Sequence, residues 1–226
     1  MRVLCRPNQT QCFRTYDVQF PQIFCQKELA LRILLQFVNS KSIPHNLRIR
    51  PLLSLSTGHF VRLFIEVIKS PQKSLENLKY SSYGSFCDNC KSVKLIGNQM
   101  HNSQFKSKVR LDDLNCKICS KPQVQLGGRL WSGPLHCPDF LQQMLDSSKY
   151  VQLDNLKRCE AMLQVLKSEL SIPFAFNTVE IARILKFGQP RLSSLLNNLT
   201  SNSFKWSFTL SDPECIKTTA PYNSFI

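Results

Sequence analysis

Two Cys-x-x-Cys knuckles, Cys87-Asp88-Asn89-Cys90 and Cys116-Lys117-Ile118-Cys119, stand 25 residues apart in the chain. Each presents two thiolates from one tight turn, and together they complete the tetrahedral shell of Zn2+ with no position left for water. A closed shell of this kind is structural. Cys87, Cys90, Cys116 and Cys119 are therefore expected to staple the middle of the protein, not to perform chemistry. A second run follows, Gly127-Gly128-Arg129-Leu130-Trp131-Ser132-Gly133-Pro134-Leu135-His136. Clustered glycines let a backbone come close to another surface. Arg129, Trp131 and His136 add a charge, a stacking ring and a hydrogen-bonding ring, which suits phosphates and unstacked bases. The same residues suit equally a turn packed on the metal-bound segment, with Trp131 in the core.

Charge sets the class of partner. Lysines and arginines exceed acidic residues by 29 − 15 = +14 over 226 residues. Such a field calls for a polyanion, nucleic acid first and an anionic membrane surface second. The basic residues are spread out, from Arg48, Arg50 and Arg62 to Lys94, Lys108 and Arg110, so their sum matters more than any one of them. A hydrophobic fraction of 42% predicts a folded chain. Met1 to Gln11 holds no apolar run like a leader, and no stretch approaches the ~18 apolar residues of a membrane span. Ten cysteines in such a chain predict an intracellular, reducing setting, the six outside the knuckles serving as small hydrophobes.

Catalytic signatures are missing. There is no Gly-x-Gly loop after a strand to hold a nucleotide, and His59, His101 and His136 are not spaced with acids as a base and its orienter. Asp212-Pro213 reads as turn chemistry.

The elements that must position these groups show in the periodicity. Leu29, Ile33, Leu34 and Phe37 recur at helical spacing from Gln26 to Val38, and Asn39 to Pro44 closes that helix. Leu47, Ile49, Leu53 and Leu55 alternate around Pro51, which predicts an edge strand or a bulge. Val61, Leu63, Ile65 and Val67 alternate with Arg62, Phe64 and Glu66 facing the other way, so the two strands are expected to form an antiparallel hairpin. Ser70 to Tyr83 reads as a polar linker. Helices are expected over Pro138 to Leu145 and from about Leu153, the latter carrying Leu156, Leu163, Leu166 and Leu170. Asn177 and Glu180 have capping-box spacing before Ile181, Ile184 and Leu185. Gly188 and Pro190 then separate that helix from one burying Leu192, Leu195, Leu196 and Leu199. Phe204, Trp206, Phe208 and Leu210 alternate as a strand, with a partner strand at Ile216. Two helices followed by a hairpin is a winged-helix-like order.

These residues also carry a family likeness. Glu28-Leu29-Ala30-Leu31-Arg32-Ile33-Leu34-Leu35, Pro51-Leu52-Leu53-Ser54-Leu55-Ser56 with Phe60-Val61-Arg62, both knuckles, the Gly127 to His136 run and Ile216-Lys217-Thr218-Thr219-Ala220-Pro221 resemble, in order, the tRNA (guanine-26-N2)-dimethyltransferase family. The resemblance implies an S-adenosylmethionine-dependent enzyme whose C-terminal half corresponds to this chain. It implies tRNA as partner and zinc at the four cysteines by matched position; by their chemistry Arg62, Arg129, Trp131 and His136 are the expected RNA contacts. The family's glycine loop and Asp-Pro-aromatic motif, which hold the methyl donor and the target amine, have no counterpart here, so this chain alone is expected to be inactive. The implied fold is α+β: residues 1–80 as the tail end of an α/β methyltransferase sheet, then residues 81–226 as a tRNA-binding domain with a zinc ribbon-like insert and a winged-helix-like module. The nucleus is the implied compartment, with mitochondrion or cytoplasm as alternatives. Gly58, Cys137 and Thr219 stand where the family carries acidic residues. A non-catalytic, zinc-containing RNA-binding protein is the competing expectation.

Overall fold

The computed structural model describes residues 9–21, 23, 25–57, 60–89, 92–96, 99–101, 104–106, 115–116, 119, 124–148, 152, 154–186, 188, 191–212 and 214–221. Cys90, one of the four expected metal ligands, lies outside them.

A short helix α1 (Gln9–Tyr16) precedes the central helix α2 (Gln26–Ser42). Leu29, Ala30 and Ile33 of α2 pack with Val18, Phe20, Phe86 and Leu130. Leu31 and Leu35, around the helix, pack with Ile49, Trp131 and Leu135. α2 is thus apolar on more than one side, as a helix inside a core must be. It runs one turn beyond the expected Val38. Asn39, which by propensity should end a helix, is fully buried and accepts from Asn77 Nδ2 at 3.2 Å, so tertiary contact overrides propensity. Pro44 then forces a single 3-10 turn, Ile43–His45, closed by Asn46 at φ 58.

Strands β1 (Leu47–Thr57) and β2 (Phe60–Lys69) pair antiparallel, as expected, with a bulge between Pro51 and Leu53. The bulge has a consequence that simple alternation hides. Ile49 faces α2, whereas Leu53 and Leu55 turn to the opposite side and pack on Leu141, Leu163 and Leu166. Val67, expected inward, is 55% exposed. The outer edge of β1 is closed by the segment after β7: Cys137 N donates to Leu52 O at 3.0 Å and Ser54 N to His136 Nδ1 at 3.3 Å. Among the described residues β2 pairs with β1 alone.

The stretch expected as a polar linker is structured. Ser70 caps α3 (Pro71–Glu76), its hydroxyl accepting from Lys73 N, with Pro71 in the first turn. Strand β3 (Ser81–Cys87) begins soon after and is largely buried despite its serines. Ser81 Oγ accepts from Gln36 Nε2 at 2.9 Å, and Ser85 Oγ donates to Lys94 O at 3.1 Å. Satisfied hydroxyls let a Ser-rich strand be buried, and apolar periodicity cannot register it. β3 is the middle of a three-stranded sheet between β4 (Val93–Ile96) and β7 (Val124–Trp131), while β5 (Gln99–His101) and β6 (Gln104–Lys106) form a separate ribbon.

Helices α4 (Pro138–Ser148) and α5 (Leu156–Ser168) cover the outward side of β1. Then come β8 (Phe176–Asn177), α6 (Thr178–Leu185), α7 (Leu192–Ser201), β9 (Trp206–Phe208) and β10 (Cys215–Thr218), the strands in the order β8-β10-β9. The turn before β10 is held by Asp212, whose backbone O accepts from Cys215 N at 3.1 Å and whose Oδ1 accepts from Glu214 N at 3.2 Å. The result is a mixed α+β architecture. Its core crosses residue 80, since Leu31, Leu35 and Ile49 share one cluster with Trp131 and Leu135.

Candidate functional site

β3 delivers Cys87 to the end of the three-stranded sheet, where it meets Cys116 and Cys119. The three Sγ atoms lie within 4.8 Å of one another, and Cys87 Sγ is 3.6 Å from Cys119 Sγ. That is too long for a disulfide, whose S–S bond is ~2.05 Å. Four thiolates at ~2.3 Å from a tetrahedral Zn2+ would be ~3.8 Å apart, so these three donors fit the ion. Cys87 and Cys116 are buried, at 1% and 6% exposure. Cys87 N donates to Ser92 O at 3.0 Å, and Ser92 Oγ lies 3.6 Å from Cys116 Sγ. Ser92 thus contacts both Cys87 and Cys116.

The glycine run is close-packed against the protein itself. A Cβ on Gly127 would fall 2.4 Å from the Phe20 ring, and one on Gly128, at φ +122, would fall 2.5 Å from Asp17 O. Gln19 N donates to Gly127 O at 2.6 Å. The backbone that approaches these glycines is the segment after α1, which is why a side chain is not tolerated there.

The four residues expected to meet RNA separate into two kinds. Trp131 is 1% exposed, under the Tyr80 ring at 4.9 Å between centroids, and its Nε1 donates to Pro134 O at 3.0 Å. Buried on all sides, it serves the core, and of its two expected roles stacking on a base is the one this burial excludes. His136 is half-buried beside it, fixed by the Ser54 N–H, while Ser54 Oγ donates to Leu135 O at 2.7 Å. Burial pushes the imidazole down to about 4, with Lys217 and Arg32 acting in the same direction and Glu28 against it. The ring is thus neutral at physiological pH, with Nδ1 as acceptor. Arg129 and Arg62 are exposed, on β7 and β2 of different sheets. Each lies over an aromatic ring: Arg129 over Tyr83 at 5.3 Å, with Nε donating to the Tyr83 hydroxyl at 3.3 Å, and Arg62 over Phe60 at 5.4 Å.

Sequence reasoning missed a buried group of charges. Arg32 and Glu28 lie one helical turn apart in α2, with Arg32 Nε donating to Glu28 Oε1 at 2.9 Å. Arg32 Nη1 donates to Trp131 O at 2.8 Å and to Gly133 O at 3.1 Å. Lys217 Nζ sits 3.4 Å from Glu28 Oε1 and 2.8 Å from Glu169 Oε1. Burial alone would raise the Glu28 carboxyl, but Arg32, Lys217 and the Phe174 N–H outweigh it and hold it below its ordinary value. The available signal was a charge pair at i, i+4 inside an otherwise apolar helix.

Cavities among the described residues differ in size and opening. A groove of about 580 Å3 between α4 and α5 is open and lined by Gln142, Asp146, Glu160 and Lys167 among others. A pocket of about 130 Å3 beside Cys25 and Cys215 is smaller than the ~300 Å3 at which small-molecule sites begin. No helix among the described residues is long and apolar enough to cross a membrane.

Comparison with known proteins gives the family. The mitochondrial tRNA (guanine(26)-N(2))-dimethyltransferase of Saccharomyces cerevisiae is 30% identical over 216 residues, 87% of this chain and 38% of that protein. The tRNA (guanine(26)-N(2))-dimethyltransferase of Methanobrevibacter smithii is 30% identical over 220 residues, 96% of this chain and 54% of that one. The chain thus spans about half the length of the relatives it matches, or less. In fold it is similar to Trm1 from Pyrococcus horikoshii, solved as a complex with S-adenosyl-L-methionine, with a TM-score of 0.80 at 22% identity, covering 99% of this chain and 55% of that one. The sequence model of the N2,N2-dimethylguanosine tRNA methyltransferases matches residues 1–226, end to end, and the chain belongs to that family.

Proposed function

We propose that this chain is the tRNA-holding part of an S-adenosylmethionine-dependent methyltransferase that modifies the exocyclic N2 of guanine 26. The observation that carries this reading is the family match over all 226 residues. S-adenosylmethionine would supply the methyl group. No glycine loop for that donor occurs in the sequence, so on this reading another part of the enzyme holds it and the chain alone does not transfer methyl groups. The β1–β2 hairpin supports the assignment of residues 1–80 to the end of a methyltransferase sheet, because the edge of β2 that pairs with no strand among the described residues can accept a further one.

Residues 81–226 would grip the RNA, joined by Arg62 of the β1–β2 hairpin. The net charge of +14 over the whole chain supports RNA binding, with Arg62 and Arg129 as exposed contacts and His136 as a neutral ring beside the turn that Arg32 holds. Zn2+ at Cys87, Cys116 and Cys119, with Cys90 as fourth ligand by spacing, would fix a ribbon-like insert and perform no chemistry. The order α5-β8-α6-α7-β9-β10, with β8 paired to β10, is that of a winged helix, which supports that reading of the tail. A nuclear enzyme is proposed, with mitochondrion, as for the yeast relative, and cytoplasm as alternatives.

The missing glycine loop favours one other reading, a non-catalytic zinc-containing RNA-binding protein. Deleting the gene and analysing tRNA nucleosides separates the two. Loss of N2-methylated guanosine at position 26 is expected, and an unchanged level together with retained tRNA binding by the purified chain would leave the binding protein.

A further inference from the structure

Glu28, Arg32, Glu169 and Lys217 come from α2, the end of α5 and β10, and their side chains are all 4% exposed or less. Two carboxylates and two cations make the group neutral overall. Its contacts reach in three directions. Arg32 takes hold of the Trp131 to Gly133 turn through two backbone carbonyls, and its guanidinium lies 5.5 Å from the Phe174 ring centroid. Glu28 Oε1 accepts from Phe174 N at 2.8 Å. Glu169 receives Lys217 on one oxygen and the Leu210 N–H, at 3.4 Å, on the other.

Buried ion pairs stabilise little relative to apolar residues of the same volume, because desolvation consumes most of the attraction. A tetrad kept in a core therefore needs another account. An apolar contact can slide, whereas charges with fixed hydrogen-bond partners have one register. We propose that Lys217 is a positioning residue: it keys the β8-β10-β9 module to α2 in a single orientation, so that this module and the Trp131 to His136 turn present one rigid surface to RNA. The last clause rests on the tRNA-holding reading above; the keying itself does not.

The test uses the full chain and a transcript of a tRNA carrying guanine 26. In Lys217→Met, Glu28 keeps Arg32 while Glu169 loses the cation that it pairs with. Amides of β9 and β10 are expected to exchange with solvent roughly 100- to 5,000-fold faster, a loss typical of breaking a buried pair, while those of β1 and β2 keep their rates. tRNA affinity is expected to fall about tenfold with the salt dependence unchanged, since a buried lysine neutralises no phosphate. The double variant Glu169→Gln/Lys217→Met restores neutrality. It is expected to recover wild-type thermal stability but not affinity, because packing returns and the register does not. Uniform acceleration of exchange, no acceleration, a salt slope reduced by about one, a double variant that does not fold, or affinity that returns with stability would each overturn the proposal. A wild-type chain that binds no tRNA at all would instead count against the proposed function, and the exchange pattern would still decide the keying.

Discussion

The cysteine cluster proposed to hold zinc and the charge tetrad both join distant parts of the chain, and they would do so with opposite chemistry. On the zinc reading the thiols take an ion to complete the site. Their spacing is printed in the sequence because a tetrahedral metal demands two donors from each of two tight turns. The tetrad balances its own charge, each member meeting a counter-charge from the protein, and it spans 189 residues between Glu28 and Lys217. A local spacing rule finds the first and cannot find the second. The first should answer to chelators, the second to charge-altering substitutions.

The sharpest way to break that contrast is Cys116→Ser. Because Cys116 is one of three converging thiols, the variant is expected to lose bound zinc and the order of the β4-β3-β7 sheet. Structural zinc is worth about 10–16 kcal/mol in small zinc peptides, which makes this the largest effect. Elemental analysis and a thermal melt with and without chelator check it; one zinc retained per chain with a wild-type melt would refute the assignment.

Glu28→Gln comes next. It takes from Arg32 its carboxylate partner and leaves Lys217 with Glu169, and a loss of about 3–5 kcal/mol is expected from denaturant unfolding. Chelator should change that loss little if the two clusters are independent. A strong dependence on chelator would merge them into one unit.

His136 sharpens the comparison by pH. Its value in the folded chain is about 4, against 6.5 ordinarily. Between those values the unfolded chain takes up a proton that the folded chain refuses, so stability should decline as pH falls from about 6.5 toward about 4. The decline is on the order of 2 kcal/mol once the partial solvent contact of the ring is discounted. The carboxyl of Glu28, held low, loses its contribution only as pH falls below its ordinary value and through its folded one. His136→Gln should flatten the upper window and leave the lower one, as read from melting temperatures across pH.

Arg129→Ala should have the smallest effect on folding, within about 0.5 kcal/mol, because the side chain is exposed and its partner Tyr83 stays solvated at one edge. Its effect belongs to binding: tRNA affinity should fall and the salt slope drop by about one. An unchanged slope would remove Arg129 from the phosphate contacts.

Much of the fold was legible where one face of an element meets the core. The α2 stripe, the β1–β2 hairpin and the helices after Pro138 all follow from apolar spacing. What escaped was held by polar groups. Ser81 and Ser85 are buried through hydrogen bonds to distant partners, so a strand looked like a linker. Asn39 is buried against Asn77, so a helix outran its expected end. The candidate site was legible at the same level. The cysteines announced themselves by spacing, and the Gly127 to His136 run announced that backbones approach closely there. That the approaching backbone is the chain's own, at Asp17 to Gln19, and that Trp131 lies in the core, depends on tertiary contacts that no local pattern encodes.

The bulge in β1 makes this strand unequal in its tolerance of lost residues. Ile49 and Ser54 face α2 and its neighbours, Leu53 and Leu55 face α4 and α5, and Leu52 is the residue in excess. Removing Leu52 would straighten the ladder and leave both faces as they are, at the cost of the acceptor for Cys137 N. Removing Ser54, two residues on, would exchange the faces of everything after it, sending Leu55 toward α2 and Ser56 into the apolar layer under α4. A strand that serves two cores thus has one position where the reading of its two sides can absorb a deletion, and that position is the bulge.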